Sequence, residues 1–153
     1  MQKKHITGKN IALFLLRIAL GWLFFYAGLE KLLNPNWDAT GFLTHAKTFQ
    51  SFYGWFGSAA NISWVNFLVP WGETLIGLGL IFGTLTRLAS YFGILLLALF
   101  YFPSLEFPYV ENGILVDDHF IYILVFAVFI HERAGAFWGL DSFINKKIKS
   151  WWV

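Results

Sequence analysis

Residues Val69–Gly83 read VPWGETLIGLGLIFG. The run is apolar enough for a membrane helix, yet Glu73 sits inside it, followed by ten uncharged residues. A carboxylate in that setting needs a partner or a purpose, because a charge facing lipid costs at least about 2.5–3.5 kcal/mol. That question organises the rest of the chain.

The surroundings of this run are equally greasy. Of 153 residues, 58% are hydrophobic and only 13% charged, whereas soluble domains run to about 45–50% and 25%. Aromatic residues reach 21%, including 18 Phe and 8 Trp, a composition suited to membrane interfaces. There is no cysteine, which excludes disulfides, thiolate metal sites and thiol redox chemistry within the chain. The small net charge of +2 gives no footprint for nucleic acid.

A helix crosses a bilayer in about 20 apolar residues. Four segments fit: about 11–33, 64–83, 86–102 and 118–132. The last is the shortest. The expected fold is all-α: a polytopic membrane protein, one domain over 1–153, built as a left-handed four-helix transmembrane bundle. The first span follows Lys3, Lys4 and Lys9, as a signal peptide would. It is long, carries Arg17 and lacks a small-x-small cleavage site before Glu30, so it reads as a retained anchor.

Four spans place both termini on one side. That side holds eight Lys or Arg (Lys3, Lys4, Lys9, Arg87, Arg133, Lys146, Lys147 and Lys149), and the other holds two, Lys31 and Lys47. The positive-inside rule then predicts the cytoplasmic membrane with both termini cytoplasmic. Trp151 and Trp152 beside the terminal lysines read as an interfacial tail. In the first outer loop, Phe42, Ala46, Phe49, Tyr53 and Phe56 recur at helical spacing, predicting an amphipathic interfacial helix over 42–56.

Arg17 lies about 9 Å in from one end of the first span and Glu73 about 14 Å in from the outer end of the second. Their heights differ by less than an Arg side chain, so the two are expected to pair. Arg17, Gly21 and Gly28 share one helical face, and Glu73, Gly77 and Leu80 share another. Gly79 and Gly83 form a G-x-x-x-G that would let helices approach. Two readings stay open. The pair fixes helix register, or Glu73 and Arg17 are catalytic candidates in a polar ligand site bordered by Glu30, Lys31, Trp71, Asp118 and His119. Asp117, Asp118 and His119 also suit a helix N-terminus. No metal site is expected, since His45, His119 and His131 form no i,i+4 pair. Arg87 and Asp141 could pair at the cytoplasmic surface.

The same residues carry a family resemblance. R-I-A-L-G-W-L-F-F-Y-A-G-L-E-K (Arg17–Lys31), W-D-A-T-G-F-L (Trp37–Leu43), V-P-W-G-E-T-L-I-G-L-G-L-I-F-G-T-L-T-R-L-A (Val69–Ala89) and A-G-A-F-W-G-L-D (Ala134–Asp141) resemble the DoxX/DoxD-like family of small four-span membrane proteins. The resemblance implies a small integral membrane subunit associated with an oxidoreductase. The family's namesakes look like subunits of a thiosulfate:quinone oxidoreductase, and others are associated with oxidative-stress complexes. It implies no intrinsic cofactor, a quinone as ligand, and the lipid bilayer and a redox partner subunit as partners. Self-association into a homo-oligomer is left open. A non-catalytic scaffold for redox or stress enzymes and a small lipid- or solute-binding transporter are the alternatives.

Overall fold

The computed structural model describes residues 7–110 and 113–142. The expectations placed on the terminal lysines and tryptophans lie outside the described residues. The chain is mostly helical, in the order α1 (Gly8–Leu33), α2 (Thr40–Thr44), α3 (Gln50–Phe56), α4 (Ile62–Phe82), α5 (Thr86–Ser104) and α6 (Asp118–Glu132). A small hairpin of β1 (Tyr109–Val110) and β2 (Gly113–Ile114) precedes α6.

Three helices, α1, α4 and α5, are long and apolar enough to cross a membrane. Their outward faces carry Trp22, Phe67, Leu75 and Phe92, all exposed. A soluble surface rarely carries apolar area on that scale. The protein is a membrane protein with several transmembrane helices. α6 has the expected bounds but only 15 residues, about 22 Å of helix.

The central contact is α1 against α4. α1 buries Arg17, Leu20, Gly21, Phe24 and Gly28, spaced by three, four or one residues so that they fall on one face. α4 answers with Val65, Pro70, Glu73, Thr74, Ile76, Gly77 and Leu80. Glycine makes the contact close. A Cβ at Gly28 would lie 2.5 Å from the Thr74 backbone nitrogen and 2.7 Å from the Pro70 carbonyl. A Cβ at Gly77 would lie 2.7 Å from the Gly21 carbonyl. The G-x-x-x-G of Gly79 and Gly83 allows close approach, with a Cβ at Gly79 3.3 Å from Ala89 Cβ of α5 and one at Gly83 2.7 Å from Gly139 Cα, and it also ends the helix. Gly83 ends α4 in the left-handed region (φ 63°), and Thr84 N–H donates back to the Gly79 carbonyl, a glycine C-terminal cap.

α5 runs back beside α4, and α6 packs on α5, with Phe126 pressed against Gly93. Leu20, Phe24, Ile76, Leu80, Leu97, Phe126, Phe129 and Ala134 make one core. A second core, at the far end of the bundle, joins Ala39, Leu43, Ala46, Tyr53 and Val65.

The single helix expected over 42–56 is instead two short ones. Between them the Lys47 N–H donates to the Pro103 carbonyl (2.9 Å) and the Thr48 hydroxyl donates to the Leu105 carbonyl. Those bonds tie the linker to the end of α5 and take its backbone out of helical register. Phe49 then adopts φ 54° and stands exposed, its ring against Phe102. Ala46 and Tyr53 are buried as expected, whereas Phe42 and Phe49 are not.

Candidate functional site

The buried charges form two separate sites. α1 and α4 run antiparallel with Gly28 beside Thr74 and Gly21 beside Leu80. Arg17, one turn beyond Gly21, therefore comes level with Gly83 at the end of α4. Glu73 lies ten residues away, about 15 Å along the helix. The expected Arg17–Glu73 pair does not form. The first turns of α1 project past the end of α4, so depth counted from each helix end does not give a common height.

Arg17 is fully buried. Its guanidinium donates to the carbonyls of Ala134 (3.0 Å), Phe137 (3.3 Å) and Trp138 (3.2 Å), and Phe14 covers it (5.4 Å from Cζ to the ring centre). The turn it grips is fastened a second time. The Asp141 carboxylate, also buried, accepts from the backbone N–H groups of Leu85 (2.6 Å) and Thr86 (2.9 Å). It thus caps α5 from outside the helix and satisfies donors that no intrahelical carbonyl reaches. The A-G-A-F-W-G-L-D segment is a clasp across α1, the α4–α5 turn and α6. Its geometry gives it a structural role.

Glu73 pairs with Lys31 instead. Nζ lies 2.7 Å from Oε2, with the carboxylate side chain 5% exposed. Side chains on a helix lean toward its N-terminus. Lys31 accordingly folds back, donating also to the Ala27 carbonyl (3.3 Å), and Trp37 lies over its ammonium (6.0 Å). The ammonium compensates the buried carboxylate, and the Ala27 carbonyl takes a second N–H of the lysine.

Lys31 forms part of the wall of a cavity of about 530 Å³, with Glu73 paired behind it. The cavity is apolar and aromatic, with Trp37, Phe42, Tyr53, Phe56, Trp64 and Phe100 among its walls. α2 and α3 roof it, α4 and α5 form its sides, and Lys31, Asp38, Ser104 and His119 bring the polar atoms. Burial raises the Tyr53 phenol above its ordinary value, so it is a neutral hydroxyl. Asp38 accepts a hydrogen bond from the Thr40 N–H, and Thr40 holds its carboxyl below the usual range.

His119 enters from the start of α6. Its Nδ1 lies 2.8 Å from the Asp117 carboxylate, which also accepts from Phe120 N–H (3.0 Å) as the helix cap. Asp118 is exposed, 3.4 Å from the same nitrogen. These three side chains lie within 4.8 Å of one another, and the cap and histidine bonds account for the cluster.

Of the residues singled out in the sequence, Lys31 and His119 line the cavity, and Glu73 reaches it only through its pairing with Lys31. Arg17 lies some fourteen residues down α1 from Lys31, about 21 Å away. Glu30 and Trp71 are exposed on other faces, and Asp118 stays outside the cavity wall. Trp37, Tyr53, Trp64 and Phe100 were not singled out as ligand residues. The Trp37–Leu43 motif was the one signal pointing there.

A family model described as DoxX matches residues 12–103. That stretch holds Arg17, Lys31, Glu73 and nearly all of the cavity wall, but not His119. A protein of Haemophilus influenzae (strain Rd), described as uncharacterized, is 29% identical over 159 residues, covering 97% of this chain and 95% of that protein. No solved structure matches the chain at a significant level.

Proposed function

The chain belongs to the DoxX family, and from that premise we propose that it is a small integral membrane subunit binding a quinone-type ring for an associated oxidoreductase. The observation that carries this reading is the aromatic cavity of about 530 Å³ with the Lys31 ammonium on its wall. Small-molecule sites span about 300–1,000 Å³, mostly apolar, with a few placed polar groups. A quinone offers a flat apolar ring to aromatic walls and a carbonyl oxygen to a donor. Lys31 has three N–H groups, of which Glu73 and Ala27 take two. Glu73 holds the ammonium in place. With no cysteine in the chain, electrons would travel on the bound ring and the partner subunit.

We read α6 as the fourth span, packed on α5 and short enough to cross only where the outer hairpin and the clasp extend it. The eight-to-two distribution of basic residues supports both termini in the cytoplasm, with the cavity toward the outer face.

Calorimetric titration of the detergent-purified protein with a short-chain benzoquinone tests the reading. Saturable binding is expected, and Val69→Phe, which fills the cavity from α4, abolishes it. Binding unaffected by Val69→Phe, or no binding, contradicts the assignment. Absence of binding with a stable fold favours the scaffold reading. Binding of a water-soluble solute in its place favours transport.

A further inference from the structure

Asp117 engages Nδ1 of His119 at 2.8 Å. An ionised carboxylate cannot donate, so Nδ1 carries the proton. Nε2 of the neutral ring is then an acceptor. His119 lines the cavity, its ring edge-on to Phe100, and no described residue hydrogen-bonds to Nε2. The arrangement is asymmetric. Lys31 presents N–H donors, and His119 is an acceptor that becomes a donor when protonated.

We propose that His119, set in one tautomer by Asp117, discriminates the redox form of the ring in this cavity: neutral His119 accepts from a quinol hydroxyl, and protonated His119 donates to a quinone carbonyl. This rests on the cavity being the quinone site. No electron transfer is needed for the discrimination. It is a difference in equilibrium binding between two ligands, linked to one proton on the protein. Histidine is the side chain that changes charge between about pH 5 and 8, while the quinol hydroxyls keep their protons across that range. The titratable groups facing the same space are Lys31 from α1, backed by Glu73, Asp38 from the loop after α1 and Tyr53 from α3, while Asp117 and Asp118 contact the ring from its own element and lie outside the cavity wall. α5 faces it with the uncharged Phe100 and Ser104.

The sign follows. As pH falls, Nε2 turns from acceptor to donor, so quinone affinity rises, while the quinol, whose hydroxyl can donate or accept, changes little. A hydrogen-bonding group left facing the wrong partner loses about fivefold or more in affinity.

The test is calorimetric titration of the whole protein with a short-chain benzoquinone and, under argon, with its quinol, at pH 7.5 and pH 5.5. In the wild type the quinol-to-quinone affinity ratio is expected to fall about fivefold or more on acidification. In His119→Gln, whose amide does not titrate, the ratio is expected to be flat. Asp117→Asn combined with Asp118→Asn keeps a helix cap, removes both carboxylates beside Nδ1 and presents an amide that can donate to it. The proton then moves to Nε2, and preference at pH 7.5 shifts toward the quinone. A pH-independent ratio in the wild type, or an undiminished pH dependence in His119→Gln, overturns the role of His119 while leaving the cavity assignment intact. Absence of binding by both forms overturns the cavity assignment and this inference with it.

Discussion

Lys31 and Arg17 sit on the same helix and serve different ends of the molecule. Lys31 is exposed to the cavity and held by one carboxylate. Arg17 is sealed off, and its two terminal nitrogens donate to backbone carbonyls. This partition predicts a specific pattern of coupling. Lys31→Met alone should lower stability by about 3–5 kcal/mol, because Glu73 is left buried without its partner, and adding Glu73→Leu should restore most of that. Arg17→Met should cost roughly 1.5–3 kcal/mol through the abandoned carbonyls. Combined with Glu73→Leu, it should be additive within about 0.5 kcal/mol. Thermal unfolding of the six proteins in one detergent reads all of these. Positive coupling between positions 17 and 73 would contradict the geometry. That Glu73 is buried inside the bundle was legible from its place in an apolar run. Its partner was not, because pairing depends on helix offset, and the sequence does not mark where α1 passes the end of α4.

The helices meet through glycine, and the contacts differ from one glycine to the next. A methyl at Gly28 would press on the α4 backbone at 2.5 Å, with nothing flexible to yield. Gly28→Ala should therefore cost about 1–3 kcal/mol. Gly72 has nothing within 4 Å of a built Cβ. There Gly72→Ala should stabilise α4 by about 0.5–1 kcal/mol. Equal effects at the two sites, by thermal melting, would argue against the described α1–α4 contact. Around the roof, Lys47 holds the Glu106 carboxyl below its usual range. A depressed carboxylate contributes stability above its unfolded value, near 4.3, and loses it as pH falls through the lower folded value. Cleavage of the α2–α3 segment by an acid-active protease should thus accelerate below about pH 4 in the wild type. In Glu106→Gln it should be faster already at pH 5. The spacing of Phe42 to Phe56 gave the helical character of this segment and the burial of Tyr53. It hid the break at Lys47–Phe49, which depends on carbonyls of Pro103 and Leu105 some 55 residues downstream.

At the scale of the molecule, a closed clasp at one end and an aromatic cavity at the other give the bundle a sense of direction. The three long spans were evident from hydropathy. The two-site arrangement was not, since the cavity alone joins residues from all six helices and the loop after α1. With no native cysteine, introduced ones report topology directly. Ile114→Cys, exposed in the hairpin, should label from outside the cell, and Arg133→Cys only after permeabilisation. Labelling of both from one side would remove α6 as a span. The claim on which the functional account turns is that the cavity beneath α2 and α3 receives the ring. Photo-crosslinking with an azido-quinone, followed by peptide mapping, addresses it most directly. The account predicts label on the cavity-lining stretches around Lys31–Leu43, Tyr53–Val69 and Leu96–Ser104. Label confined to the clasp end near Arg17, or spread over the lipid-facing tryptophans, would contradict it.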